Sequence, residues 1–126
     1  MGRASVVLVA LGVGCCGSEP DRPFTEFIVA VGEERFVLRA SDPETIRLGH
    51  ENIRGAISVF PIGPLRRGDG GFNTPWSWHL DPDRVRFTEV AIEVCDGAPS
   101  YVEEHVDEYA QIGYCPWGGR VVGVRP

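Results

Sequence analysis

The chain has 126 residues, with 18 acidic side chains set against 12 arginines, no lysine, and a formal net charge of −6. That length makes one domain. The acidic balance argues against nucleic acid as a partner, and the missing lysine excludes a lysine nucleophile, a Schiff base and a P-loop lysine. Sixteen glycines and ten prolines favour a loop-rich or β-rich fold over a helix bundle.

The first segment, MGRASVVLVALGVGCCGSEPDRP, places Arg3 before an apolar run from Val6 to Gly14. That run is too short to span a bilayer and fits the h-region of an export signal. Small residues then lead to Cys15, Cys16 and a polar tether. The pattern resembles a bacterial lipoprotein signal with Cys15 as the lipidated residue. Leu11 lies one place further upstream than the usual pattern wants, and an ordinary signal cut within 15–20 is the alternative. Either reading sets residues 1–22 apart as signal and tether and leaves 23–126 as a single domain. Export puts Cys95 and Cys115 in an oxidising compartment, where a disulfide is the default.

FTEFIVAV (24–31) and RFVLRA (35–40) alternate apolar and polar residues about Gly32-Glu33-Glu34, a hairpin signal. In SDPETIRLG, either Asp42 caps a helix with Pro43 at its first position, or Ser41 pairs with Glu44 in a capping box. Gly49 is expected to end that helix, giving 42–49. A third strand is expected over 54–60. The glycine- and proline-rich stretch 61–75 reads as a long connection. WSWHL (76–80) reads as a strand with Trp76, Trp78 and Leu80 on one face. VRFTEVAIEV (85–94) reads as the longest strand.

Ser100 and Glu103 suit a capping box, and Val102, Val106, Tyr109 and Ala110 recur at helical spacing. A helix over 100–111 follows, with Glu103, Glu104, Asp107 and Glu108 on a solvated face. RVVGVR (120–125) reads as a last strand. The expected fold is α+β: a mostly antiparallel sheet of about six strands against helices 100–111 and 42–49. The 95–115 bridge staples the long strand to the segment after the helix, and closing a loop of that size is worth roughly 3 kcal/mol.

The block WSWHLDPDRVRFTEVAIEVCDGAPSYVEEHVDE followed by CPW, with RFV…SDPETI and Gly55-Ala56-Ile57, resembles a family of small exported bacterial proteins. They are labelled calmodulin-binding through similarity to the N-terminal domain of a Dictyostelium protein. The resemblance covers residues 24–125 and implies a compact α+β domain with no catalytic residues to transfer. The chain is shorter than the family pattern between Ile46 and Gly55 and between Tyr109 and Cys115. Calmodulin targets are basic amphipathic helices, whereas the helix expected here is acidic outside, which argues against calmodulin as a partner.

The candidate site residues follow from chemistry. Arg66, Arg67 and Phe72 lie in the long 61–75 connection, where binding residues concentrate. Trp76, Trp78 and Trp117 can anchor a partner or form core under the disulfide. His79 and Asp81, with Glu89 beyond, offer a metal-dependent hydrolase as an alternative. Pro82 breaks that strand, however, and the EF-hand pattern fails at Val85. Glu89 and Glu93 stand about 13 Å apart at strand rise, too far for a paired-carboxylate site without a segment folding over them. The first expectation is therefore an exported, lipid-anchored, non-enzymatic binding module for a protein or small ligand. It has no metal or other cofactor and no catalytic residue, and it touches membrane through its lipid alone. A purely structural envelope protein is a further alternative.

Overall fold

The computed structural model describes residues 23–126, so the export signal and Cys15 lie outside the described residues. Seven strands and three helices make the α+β fold: β1 (Thr25–Val31), β2 (Glu34–Ala40), α1 (Pro43–Ile53), β3 (Phe60–Ile62), β4 (Leu65–Arg67), β5 (Trp78–Leu80), β6 (Arg86–Thr88), α2 (Pro99–Glu104), α3 (Val106–Ile112) and β7 (Gly119–Arg125). In place of one sheet of about six strands there are three antiparallel sheets, ordered β2-β1-β7, β3-β6 and β4-β5.

The hairpin forms as the alternation predicts. Phe27 and Val29 of β1, and Phe36, Leu38 and Ala40 of β2, point to one buried face. Burial of Val121 adds β7 to that face, with a bulge in register between Ile28 and Val29. Two buried asparagines plug the sheet edges. Asn73 Oδ1 accepts from Val37 N at 2.7 Å, and Asn52 Oδ1 accepts from Val121 N at 2.7 Å. Their amide nitrogens donate to the Trp78 and Ile57 carbonyls, so neither edge nor plug is left with unmet polar groups there.

Helix α1 starts as expected. Pro43 occupies its first turn, and Asp42 Oδ2 accepts from Thr45 N at 2.9 Å. It runs past Gly49 to Ile53, longer than the expected 42–49. Gly49 serves packing instead of termination, because the Phe27 ring fills the space its missing side chain leaves. Gly55, at φ +77°, ends the helix.

Three other expectations change. Residues 54–59 turn instead of forming a strand, and β3 begins only at Phe60. The 61–75 stretch is not one long connection but carries β3 and β4. The long strand 85–94 shrinks to β6, because its partner β3 has only three residues before Gly63 and Pro64. Residues 89–94 swing out and tighten into one 3-10 turn at Glu93–Cys95.

The 100–111 helix is two helices broken at His105, whose φ and ψ are −135° and 36°. The His105 amide donates to Val102 O, and its ring Nδ1 takes the Tyr101 carbonyl at 2.8 Å. The ring also stacks on Tyr101 with centroids 4.0 Å apart. A side chain thus occupies a carbonyl of the helical ladder, and the axis bends. The Ser100–Glu103 capping box does not form. Ser100 N and Oγ donate to Glu34 at 2.8 and 2.7 Å, while Glu103 accepts from Ser77 N and Oγ at 2.9 and 2.7 Å. These two carboxylates join α2 to β2 and to the segment before β5. Among the described residues no helix is long and apolar enough to cross a membrane.

Candidate binding surface

Cys95 and Cys115 form a disulfide, and the Cys115 amide donates to the Cys95 carbonyl at 2.7 Å. Around it the polar groups are tightly used. Asp96 Oδ1 accepts from Gly97 N and Trp117 N, both at 2.8 Å. Tyr109 and Tyr114 hydroxyls donate to the Asp96 and Gly97 carbonyls at 2.6 and 2.7 Å. Burial, then the charges of Tyr109, Asp96 and Glu34, pushes the Tyr114 phenol far above its ordinary value. It stays a neutral donor and cannot serve as a base near neutrality.

The tryptophans divide. Trp78 is fully buried among Phe36, Trp76 and Tyr114, although its Nε1 has no hydrogen-bond partner among the described residues. Trp76 stacks on Trp78 and donates its indole N–H to Arg35 O at 2.9 Å. These two are core and its margin. Trp117 alone stays 41% exposed. The 61–75 candidates divide likewise. Phe72 is 1% exposed, a core residue packed edge-on to His79 with centroids 5.4 Å apart. Arg66 is bonded to Asp81 at 2.8 Å, and Arg67 pairs with Asp107. The structure therefore does not bring Arg66, Arg67 and Phe72 together as a contact surface.

His79 and Asp81 are committed elsewhere. A carbonyl only accepts, so the 2.7 Å contact between His79 Nδ1 and Gly68 O requires a proton on Nδ1. Asp81 Oδ1 accepts from Asp83 N, and Oδ2 takes Arg66. Burial works to raise the Asp81 pKa, but the Arg66 bonds, the Asp83 amide and the Arg66 and Arg84 charges hold it below the ordinary carboxylate value. Glu89 is exposed on the outward segment. Among the described residues no three His, Cys, Asp or Glu side chains gather as a metal cluster.

What the structure does assemble beside the disulfide is apolar. Val90, Ile92 and Val94 are 78%, 68% and 62% exposed, on the segment that fails to continue β6. Trp117 faces Phe60, Glu89, Val90 and Ala91 across a hollow of about 220 Å³. A second groove of about 380 Å³ lies between Ile62, Pro64, Arg84, Ile92, Ile112 and Tyr114. Ile92 borders this groove, and its neighbours in sequence line the hollow, so the two form one apolar rim. The Arg84 side chain in it has no direct partner among the described residues. Sequence reasoning missed Val90, Ile92 and Val94 because their alternation reads as a half-buried strand. The available signal was Pro61 and Pro64, which shorten any strand that could pair with them.

No curated protein and no solved structure matches the chain. A family model for the N-terminal domain of a calmodulin-binding protein does match, over residues 22–126, which takes in every strand and helix described above; the chain belongs to that family.

Proposed function

We propose that this protein is an exported, lipid-anchored binding module that does no chemistry and docks a protein partner on the rim beside the disulfide. One observation carries the reading: Val90, Ile92, Val94 and Trp117 crowd exposed apolar surface onto a covalently braced corner of the domain. Scattered exposed apolar residues are ordinary, but a contiguous group marks a contact surface. The bridge and the Asp96 bonds hold the rim's base, so little ordering is lost on docking. Glu89 and Glu93 alternate with the apolar side chains, so the complementary partner presents an apolar segment with basic flanks. The commitments of His79 and Asp81 support a binding role over a metal-dependent hydrolase.

The test places a photoreactive amino acid at Ile92 or Trp117 in the native host, with Arg47 on the exposed face of α1 as control. A discrete cross-linked adduct from Ile92 and Trp117, absent from Arg47, is expected. The same adduct pattern at all three positions, or none at any, refutes the rim as the contact surface.

A further inference from the structure

The three-stranded sheet has a second face, opposite the one that packs on the core. Residues alternating with Phe27 and Val29 put Glu26, Ile28 and Ala30 on it. Register then places Arg39 and Arg125 beside Glu26, Val37 and Gly123 beside Ile28, and Arg35 and Arg120 beside Ala30. Four arginines therefore share a face with one carboxylate, in a chain whose net charge is −6. Glu33, in the hairpin turn, is the acidic residue next along the chain, and counting it still leaves a cationic surplus.

The arginines are of two kinds. Arg39 and Arg125 clasp Glu26 from either side, with contacts of 2.6 and 2.7 Å. Arg39 also lies 4.1 Å from the Phe24 ring centroid and 4.7 Å from that of Phe72. Arg35 and Arg120 are exposed, and neither side chain has a partner among the described residues. They flank Ala30 across two strand spacings, roughly 10 Å. The small side chain between them leaves a floor that admits a phosphodiester within reach of both guanidiniums. Arginine forks suit phosphate oxygens.

We infer that this sheet face, through Arg35 and Arg120, lies against an anionic phospholipid surface. The inference rests on the exported, lipid-anchored reading, since it makes the face a second membrane contact beside the lipid. Three features favour a membrane over other anions. The face is broad, with an aliphatic row between its charged rows. Half-exposed Phe24 sits over Arg39 on that face, at the end of the segment expected to be the tether. A single acyl chain holds a protein only marginally, and a basic patch is the usual second signal. The acidic surfaces elsewhere would be repelled by the same lipids, so the charge asymmetry also orients the domain.

The test uses the full chain and vesicles of phosphatidylcholine, with or without phosphatidylglycerol. The apolar first segment enters both, so a difference reports the folded face. Each unpaired arginine near an anionic surface is worth about fivefold in affinity, so the pair predicts roughly thirtyfold tighter binding to the anionic vesicles. Arg35→Gln with Arg120→Gln should remove most of that preference, as should high salt. Arg47→Gln with Arg54→Gln, which removes equal charge from α1, should leave it intact. Equal binding to both vesicles overturns the inference, as does loss of preference with either pair of variants. Self-association abolished by the Arg35 and Arg120 variants would also overturn it, assigning the face to a second copy. None of these outcomes touches cross-linking at the rim, so the two readings fail separately.

Discussion

Gly49→Ala sets helix propensity against packing. In the interior of α1, replacing glycine by alanine should gain about 1 kcal/mol of helix stability. The added Cβ, however, would lie 2.5, 2.6 and 2.9 Å from Cζ, Cε2 and Cε1 of Phe27, where carbon contacts settle near ~3.5–4.0 Å. The Phe27 ring is fully buried and held edge-on by His50 and Phe87, with centroids 5.3 and 6.3 Å away. It has no room to withdraw without moving the sheet or the helix. Overpacking of a tight core costs about 1–3 kcal/mol, and three simultaneous clashes with a boxed ring place this case at the upper end. The net loss is about 2 kcal/mol, which lowers Tm by roughly 8–16 °C in a domain of this size. Urea unfolding with an unchanged slope would measure it. Phe27→Leu withdraws the ring tip, so in that background Gly49→Ala should cost at least about 1 kcal/mol less. A Gly49→Ala protein as stable as the parent would show that α1 does not press on Phe27 as described.

Two further perturbations probe the covalent and electrostatic braces. Replacing Cys95 and Cys115 together by alanine should cost about 3 kcal/mol, from a cross-link 20 residues apart, and an unchanged urea midpoint would remove the brace from the argument. Burial works to raise the Glu26 pKa, but the bonds from Arg39 and Arg125 and their charges outweigh it and hold the pKa below its ordinary 4.5. A depressed carboxylate contributes stability above its unfolded value, and that stability is lost as pH falls from about 4.5 through the lower folded value. Glu26→Gln should therefore flatten the unfolding midpoint against pH in that acid range, and a curve parallel to the parent's would contradict the clasp.

Long alternating segments were legible where a partner of equal length exists. Strands β1, β2 and β7 each have seven residues and pair along their length, so the pattern predicts them well. Val90, Ile92 and Val94 carry the same pattern with no strand to pair against, because β3 is three residues long. Local pattern encodes a preference, and the partner's length decides the outcome. The break at His105 was hidden for a similar reason. The apolar period runs through it unchanged, but a ring nitrogen displaces one backbone bond of the ladder. Gly49 misled because a helical glycine and a terminating glycine look alike until the ring beneath is known. Asn52 and Asn73 gave no signal at all, since an asparagine that plugs a strand edge is indistinguishable in sequence from one in a turn.

The carboxylates tie these failures to function. Read along the chain, the acidic residues of 100–111 suggest a solvated coat. In the structure Glu103 takes both donors of Ser77, Glu34 takes both of Ser100, and Asp107 takes Arg67. Acid spent on serines and backbone amides is not available to neutralise arginine. With Glu26 alone facing the four sheet arginines, the molecule keeps a cationic face despite its excess of acid. That separation follows from which donors the folded carboxylates meet, and no count of charges along the sequence reveals it. It also sets the order of experiments. Vesicle binding by the Arg35 and Arg120 variants tests a feature the topology imposes, whereas cross-linking at Ile92 tests one that exists because a strand stops early.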